Sequence, residues 1–339
     1  MAQPSRARVK ITRITQVALV AKDLQKSMED YWNILGIGPW DIYIHGAPLV
    51  RYYEYHGKPA QGSIRVALTQ LGGVQLELVE HLDEDTIHHD FLRQHGEGLH
   101  HVQSLVADVD EATKMLVKEG FPCLQRAHFG DNGAYAYIDM KPLHTIWELV
   151  RLPDNRGVEP IPYPNTVQTS PAKVKVTRIA QIAIVVKNIH KSMEDYWNIL
   201  GIGPWDIHSF ESPLVYDYEY HGKPAQGRAK IALARVGAVQ LELIEHVDGD
   251  TIYRDFLMER GEGLHHLQFL VEDVDETVEA LARDGFPCIQ RARFGDNGAY
   301  AYIDMKPLHT IWELARRPDN RGVQPTRYPS YSDVTAWSA

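Results

Sequence analysis

A chain of 339 residues, 44% hydrophobic and 24% charged, holds enough material for two or three domains with real cores. Its formal charge of −10 argues against a nucleic-acid-binding surface. No apolar run reaches the roughly 20 residues of a membrane span, and no apolar secretory core follows Met1, so no membrane partner and a cytoplasmic location are expected. The two cysteines, Cys123 and Cys288, hold equivalent places in two repeats, which speaks against a disulfide between them and for a reducing compartment.

Those repeats organise the chain. Lys26 to Ile42 returns unchanged at Lys191 to Ile207, Tyr53 to Gly62 at Tyr218 to Gly227, and Phe129 to Leu149 at Phe294 to Leu314, each offset by 165 residues. A period this long means duplicated domains. Residues 10–159 read as the first domain, 160–174 as a Pro-rich linker and 175–325 as the second, with tails at 1–9 and 326–339.

In chain order, the first half opens on an alternating strand from Gln16. Leu24, Met28, Tyr31, Trp32 and Leu35 at helical spacing predict a helix from about Leu24 to Leu35, stopped by Gly36. Short strands follow near 40–44, 51–55, 64–70 and 74–80, then a polar helix near 84–95. Gly98 starts a strand that resembles the one at Gln16. Behind it come a helix near Asp110 to Glu119 and strands near 124–127, 135–139 and 145–150, with a tight turn at Asp131-Asn132-Gly133. The unit is βαβββ, used four times, which makes the chain α+β.

Alternation sorts four of these strands into two faces. Val17 and Leu19, Leu76 and Leu78, Val102, Trp147 and Leu149 form an apolar face for the helices. Gln16, Glu77, His101 and Glu148 fall on the other face, and Gln181, Glu242, His266 and Glu313 repeat the pattern. A carboxylate in a half-buried strand must be solvated, paired or metal-bound. Three oxygens and one nitrogen on a concave face suit a divalent metal (Zn, Ni, Co, Mn or Fe), with positions left for substrate. The plain alternative is that these are satisfied or solvent-facing side chains kept by duplication. By alternation, His100 and His265 face away from the metal in a structural role.

The strand Gln16-Val-Ala-Leu-Val-Ala-Lys-Asp-Leu, the Leu76-Glu77-Leu78-Val-Glu strand, the Gly98-Leu-His-His-Val strand and the closing Ile146-Trp-Glu148-Leu-Val resemble the vicinal oxygen chelate superfamily of glyoxalase I, methylmalonyl-CoA epimerase, extradiol dioxygenases and fosfomycin-resistance proteins. The resemblance covers nearly the whole chain. It implies tandem domains, each of two βαβββ modules forming a curved, cup-like mixed sheet with helices outside. It also implies a metal held by Gln16, Glu77, His101 and Glu148, and a second by Gln181, Glu242, His266 and Glu313. The family usually has His where this chain has Gln16 and Gln181. The Gln, Glu, His, Glu set looks like that of glutathione-dependent glyoxalases and departs from the two-His-one-carboxylate triad of extradiol dioxygenases.

By the same resemblance, Glu148 and Glu313 would act as ligand and base, with Glu77 and Glu242 as facing partners, moving a proton through an enediolate or enolate of a small carbonyl or phenolic substrate. The expected activity is that of a glyoxalase-type isomerase, epimerase or lyase. The alternatives are an Fe(II) extradiol-type ring-cleaving dioxygenase and a non-catalytic small-molecule binding or resistance protein. Trp40, Tyr53, Tyr55, His56, Tyr137 and His144, with Trp205, Tyr218, Tyr220, His221, Tyr302 and His309, are the candidates for an aromatic substrate pocket. The sites can form within one repeat or across repeats, and the chain can be a monomer or a homodimer.

Overall fold

Strands with one apolar side need a layer to cover it, and the structure meets that need with two large mixed sheets, one per half. It is a computed structural model and describes residues 5–164 and 169–329. Residues 1–4, 165–168 and 330–339, which include parts of the expected tails and linker, lie outside the described residues.

The first half runs β1 (Gln16–Val20), α1 (Leu24–Leu35), β2 (Trp40–His45), β3 (Val50–Tyr55), β4 (Lys58–Pro59), β5 (Ile64–Leu71), β6 (Val74–His81), α2 (Ile87–His95), β7 (Gly98–Leu105), α3 (Val109–Lys118), β8 (Cys123–Phe129), β9 (Gly133–Met140), β10 (Thr145–Arg151) and β11 (Ile161–Tyr163). The second half repeats this as β12 (Gln181–Val186), α4 (Ile189–Leu200), β13 (Trp205–Phe210), β14 (Val215–Tyr220), β15 (Lys223–Pro224), β16 (Gly227–Val236), β17 (Val239–Gly249), α5 (Ile252–Glu259), β18 (Gly263–Leu270), α6 (Val274–Arg283), β19 (Cys288–Phe294), β20 (Gly298–Met305), β21 (Thr310–Arg316) and β22 (Thr326–Tyr328).

Each sheet has 11 strands, and the first is ordered β11-β2-β5-β6-β1-β7-β10-β9-β8-β3-β4. The two modules meet where β1 lies antiparallel to β7; β6 runs parallel to β1 and β10 parallel to β7. This places the four strands that carry Gln16, Glu77, His101 and Glu148 side by side. Two features go beyond the sequence reading. Strand β3 leaves its own module and pairs with β8 at the far edge. Strands β11 and β22, from the stretches read as linker and tail, cover the outer edges of β2 and β13, which would otherwise offer unpaired backbone groups.

The helices begin and end where their caps are. Asp23 accepts from the Lys26 amide, and Gly36 ends α1 in the left-handed region at φ 63°. Thr86 caps α2 through the His89 amide, so that helix starts three residues later than its polar sequence indicates. The apolar faces of both sheets and the helices α1, α3, α4 and α6 form one continuous core, in which Trp147 and Trp312 are fully buried. These helices therefore lie on the convex sides. Helices α2 and α5 instead close one end of each cup: Ile87 packs with Tyr53, Tyr135 and Tyr137, and Tyr253 with Tyr300 and Tyr302.

The halves are tied reciprocally. Tyr31 donates its hydroxyl to the Leu308 carbonyl and Tyr196 to that of Leu143, both at 2.9 Å. The Ile11 amide donates to the Leu200 carbonyl and the Val176 amide to that of Leu35, also both at 2.9 Å. Elsewhere on the same pseudo-twofold axis the β5–β6 and β16–β17 hairpin tips touch. A Cβ at Gly73 would lie 2.1 Å from the Cβ of Ala238.

Candidate metal centre

On the concave face of the first sheet, five buried side chains close a ring of polar contacts. His101 Nε2 lies 3.4 Å from Glu77 Oε2 and 3.5 Å from Glu148 Oε2. Gln16 donates its amide to Glu77 Oε2 at 2.6 Å. Gln103 donates to Gln16 Oε1 at 3.1 Å and to Glu148 Oε2 at 2.8 Å. In the second cup His266 Nε2 lies 3.2 Å from Glu313 Oε2 and 3.5 Å from Glu242 Oε2, and Gln268 donates to Glu313 Oε2 at 2.8 Å. Gln181 is buried on β12, beside β17 and Glu242. Each set comes from a single half; among the described residues no cross-repeat pairing forms.

The second set fits a divalent cation, whereas in the first half the atoms that gather as tightly are those of His88, His100 and His101. The ligand atoms of Glu242, His266 and Glu313 all lie within 4.8 Å of one another. The buried atoms His101 Nε2, Gln181 Nε2 and Glu242 Oε2 have no partner in hydrogen-bonding geometry, a costly condition that a bound cation would relieve at the imidazole and the carboxylate. Burial alone depresses the His101 imidazole, but its contacts with Glu148 and Glu77 outweigh that and hold it at about 9. His266 is held at about 9 by Glu242 and Glu313 in the same way. Burial pushes the carboxyls of Glu77 and Glu242 up. Without a cation, the imidazolium supplies the positive charge between two carboxylates.

His100 and His265 do not follow the simple alternation. The β1–β7 register shifts between Ala18 and Leu19, so the strand bulges and brings His100 Nδ1 to 2.8 Å from His101 Nδ1. The second half has the same shift and the same distance. Burial, then the neighbouring imidazolium, holds His100 and His265 well below the usual histidine range. A neutral His100 accepts the Nδ1–H of His101 and leaves His101 Nε2 facing the carboxylates, the second partner that metal-binding imidazoles ordinarily have.

The predicted aromatic lining is partly rearranged. The Tyr137 ring stands 5.0 Å from His101 and that of Tyr302 4.9 Å from His266, both as cup walls. Tyr53 and Tyr218 close the α2 and α5 ends, donating to the carbonyls of Asp85 and Asp250 at 2.5 and 2.6 Å. Tyr55 and Tyr220 are tied to Asp90 and Asp255. Trp40 and Trp205 are fully buried in the shared core instead, against Tyr31 and Tyr196, because they start β2 and β13 on the helix-facing side. His56 is turned outward by a φ of 48° onto Asp90, and His221, with the same φ, borders the space between the halves. His144 and His309 also leave the cups. They follow short helical turns at φ 55° and 54° and reach across to Glu262 and Glu97 at 3.5 and 3.4 Å, lining a cavity of about 870 Å³ between the halves.

Residues that the sequence reading did not assign complete the cups. Gln103 and Gln268 sit two residues beyond the histidines on the same face, so alternation had already placed them there. His45, Phe129, Tyr135 and Arg156 line a first cup of about 190 Å³. Burial and the Arg156 charge lower His45 to about 4, so it is neutral. His88, also buried and neutral, packs 5.1 Å from His100 and 6.1 Å from His101. In the second cup Phe210 replaces His45 and Tyr253 replaces His88, and about 30 Å³ remains.

The family profile described as the Glyoxalase/Bleomycin resistance protein/Dioxygenase superfamily matches residues 15–137 and again 180–302. The chain is 31% identical over 124 residues to the uncharacterized protein YqjC of Bacillus subtilis (strain 168), covering 36% of this chain and 79% of that protein. A mutant of 4-hydroxymandelate synthase from Streptomyces coelicolor is similar in fold with a TM-score of 0.59 at 17% identity, over 93% of this chain and 95% of that one. A xylose isomerase-like TIM barrel/4-hydroxyphenylpyruvate dioxygenase fusion protein gives 0.48 at 12% identity, over 93% of this chain and 50% of that one. With a profile match in each half and two cups of this architecture, the chain belongs to the glyoxalase/bleomycin resistance protein/dioxygenase superfamily, as a tandem vicinal oxygen chelate protein.

Proposed function

We propose that this chain is a divalent-metal-dependent isomerase, epimerase or lyase of the glyoxalase type, acting on a small carbonyl compound. The observation that supports it most is the pair of carboxylates around one imidazole. Glu77 and Glu148 approach His101 Nε2 at 3.4 and 3.5 Å from different strands, and Glu242 and Glu313 flank His266 likewise. Gln16, Glu77, His101 and Glu148 would hold one cation, and Gln181, Glu242, His266 and Glu313 the other. The bound cation supplies Lewis acidity, which acidifies a C–H next to the carbonyl it polarises.

The chain's own groups then do the rest. Glu148 is placed to take and return the proton, with its Oε2 oriented by Gln103 at 2.8 Å; Gln268 orients Glu313 in the same way. Glu77 faces it with a carboxyl raised by burial, which brings it nearer the range where a proton shuttle works at neutral pH. The Tyr137 ring walls the site off from water, and the roughly 190 Å³ of the first cup, lined by Phe129 and Tyr135, suits a small substrate with an apolar or aromatic part.

The test is solvent-deuterium exchange at the carbon beside the carbonyl, across 2-oxoaldehydes and 2-hydroxyketones. The protein is stripped with chelator and reloaded with Zn, Ni, Co, Mn or Fe(II). Exchange should require the metal and fall on the order of 10²–10⁴-fold in the E148Q/E313Q double variant. Binding without turnover in the unaltered protein would make it a sequestering protein. A second reading, an Fe(II) dioxygenase, draws on the two-domain likeness to 4-hydroxymandelate synthase. The donor set weighs against it, since one imidazole rather than two faces the carboxylates. Oxygen uptake by the iron-loaded protein with catechols and 4-hydroxyphenyl acids decides between them.

A further inference from the structure

The two cups match at their metal-facing residues but differ at their mouths. The first mouth is lined by Arg13, Gln70, Leu152 and Arg156. The equivalent positions of the second half are Arg178, Arg235, Arg317 and Arg321, so two neutral residues have become arginines. We propose that this four-arginine rim is an anion-binding site that takes the carboxylate or phosphate end of a ligand which the first cup does not bind. This rests on the metal-site reading only in so far as the same ligand would also reach Glu242 and Glu313.

Hydrogen bonds join two of these side chains, and mutual charge effects link the others to them. Arg178 and Arg235 donate to one acceptor, the Ala238 carbonyl, at 3.1 and 3.3 Å, which brings two guanidinium groups together. In the first half the neutral amide of Gln70 donates instead to the Gly72 carbonyl at 3.0 Å, one residue before the position equivalent to Ala238. The stem of Arg178 is held over Gly72 of the other half, so its position is set by the contact between hairpins. Arg321 lies deeper, with its Nη1 buried and without a partner.

Among the described residues, none of the four arginines has a carboxylate within ion-pairing distance, although the chain has many ion pairs elsewhere and a net charge of −10. Arg317 is disfavoured in its charged form by partial burial and by the charges of Arg235 and Arg178, and Arg321 by burial and by Arg317, with the more distant carboxylates of Glu242 and Asp206 acting the other way. Arg178, Arg235 and Arg317 are exposed and Arg321 half-buried; like charges crowded at such a rim favour an anion that neutralises them, and the planar guanidinium fork suits carboxylate and phosphate oxygens. In the first cup the matching Arg156 lies over the Tyr43 ring at 4.8 Å. His208 replaces that tyrosine in the second half.

The experiment is calorimetric titration of the full-length, chelator-treated protein with pyrophosphate and with tricarballylate, at low and at physiological salt. Saturable binding of at least one of them at one site per chain is expected, and which one binds best separates a phosphate from a carboxylate ligand. The Arg235→Gln, Arg317→Leu double variant introduces the residues that the first half already carries at the equivalent positions, Gln70 and Leu152. It should bind at least tenfold more weakly, with metal uptake unchanged. A wild-type protein that saturates with neither anion overturns the proposal, as does a double variant that binds as tightly as the wild type. Metal titration of the same samples keeps the two readings apart: anion binding without metal uptake leaves the rim standing and removes the metal-site reading.

Discussion

At His101 and His266 a proton and a cation compete for the same place. Each imidazole is held at about 9, above the ordinary 6.5, by its two carboxylates. Below that value, metal uptake must expel the proton, so affinity should rise with pH and level off above about 9. Calorimetry in two buffers of different ionisation enthalpy should show proton release at pH 7 that vanishes near pH 10. The same shift gives the sign for the metal-free fold. A raised imidazole contributes stability that is fully present below the unfolded value and is lost as pH rises through about 9, so the stripped protein should melt earlier at pH 10 than at pH 7. Gln103 fixes Gln16 and Glu148 together, and Gln103→Leu should weaken metal binding in the first cup by about 10–100-fold, read from metal titration with the second cup as internal control. Most of this ring was legible in the sequence, because alternation alone places Gln16, Glu77, His101 and Glu148 on one face. The proximity of His100 to His101 was not, because a bulge changes facing locally without any mark in the apolar pattern.

The elements follow local rules wherever local rules decide. Gly36 and Asp23 bound α1 as their chemistry requires, and Asp23→Ala should cost about 0.5–2 kcal/mol in denaturant titration, as should Asn188→Ala at the twin cap of α4. The destination of β3 is a different matter. Its alternation resembles that of its neighbours, and nothing in six residues says that the partner is β8. Across the pairing Glu54 and Arg126 are joined in a two-pronged contact at 2.9 and 2.6 Å, with Glu219 and Arg291 repeating it. Trp40 was misplaced for a related reason: a strand's first residue has its facing set by the loop before it, which the alternation of the strand does not report. His144 and His309 were legible as chemistry-bearing residues but not as parts of an inter-domain cavity, since their partners Glu262 and Glu97 lie in the opposite half.

Across the whole molecule, the duplication was plain in the sequence, whereas the way the copies interlock was not. One measure of that interlock is the hairpin contact on the pseudo-twofold axis. Gly73→Ala would push a methyl group into Ala238, where the structure leaves no room, and should destabilise the chain by about 1–3 kcal/mol. Ala238→Gly relieves the same contact, and the pair together should recover most of the loss in thermal unfolding.

The crossed arms that join Ile11 to Leu200 and Val176 to Leu35 have a consequence for each copy by itself. Each of these two bonds that one copy gives is matched by one it receives, so a fragment ending at Tyr163 already contains both the clasp and the catch. Two such fragments can mate with each other in the arrangement that the linked copies use. Light scattering should find the fragment at twice its chain mass, and a lone soluble particle would show that the tether, rather than the clasp, keeps the copies together.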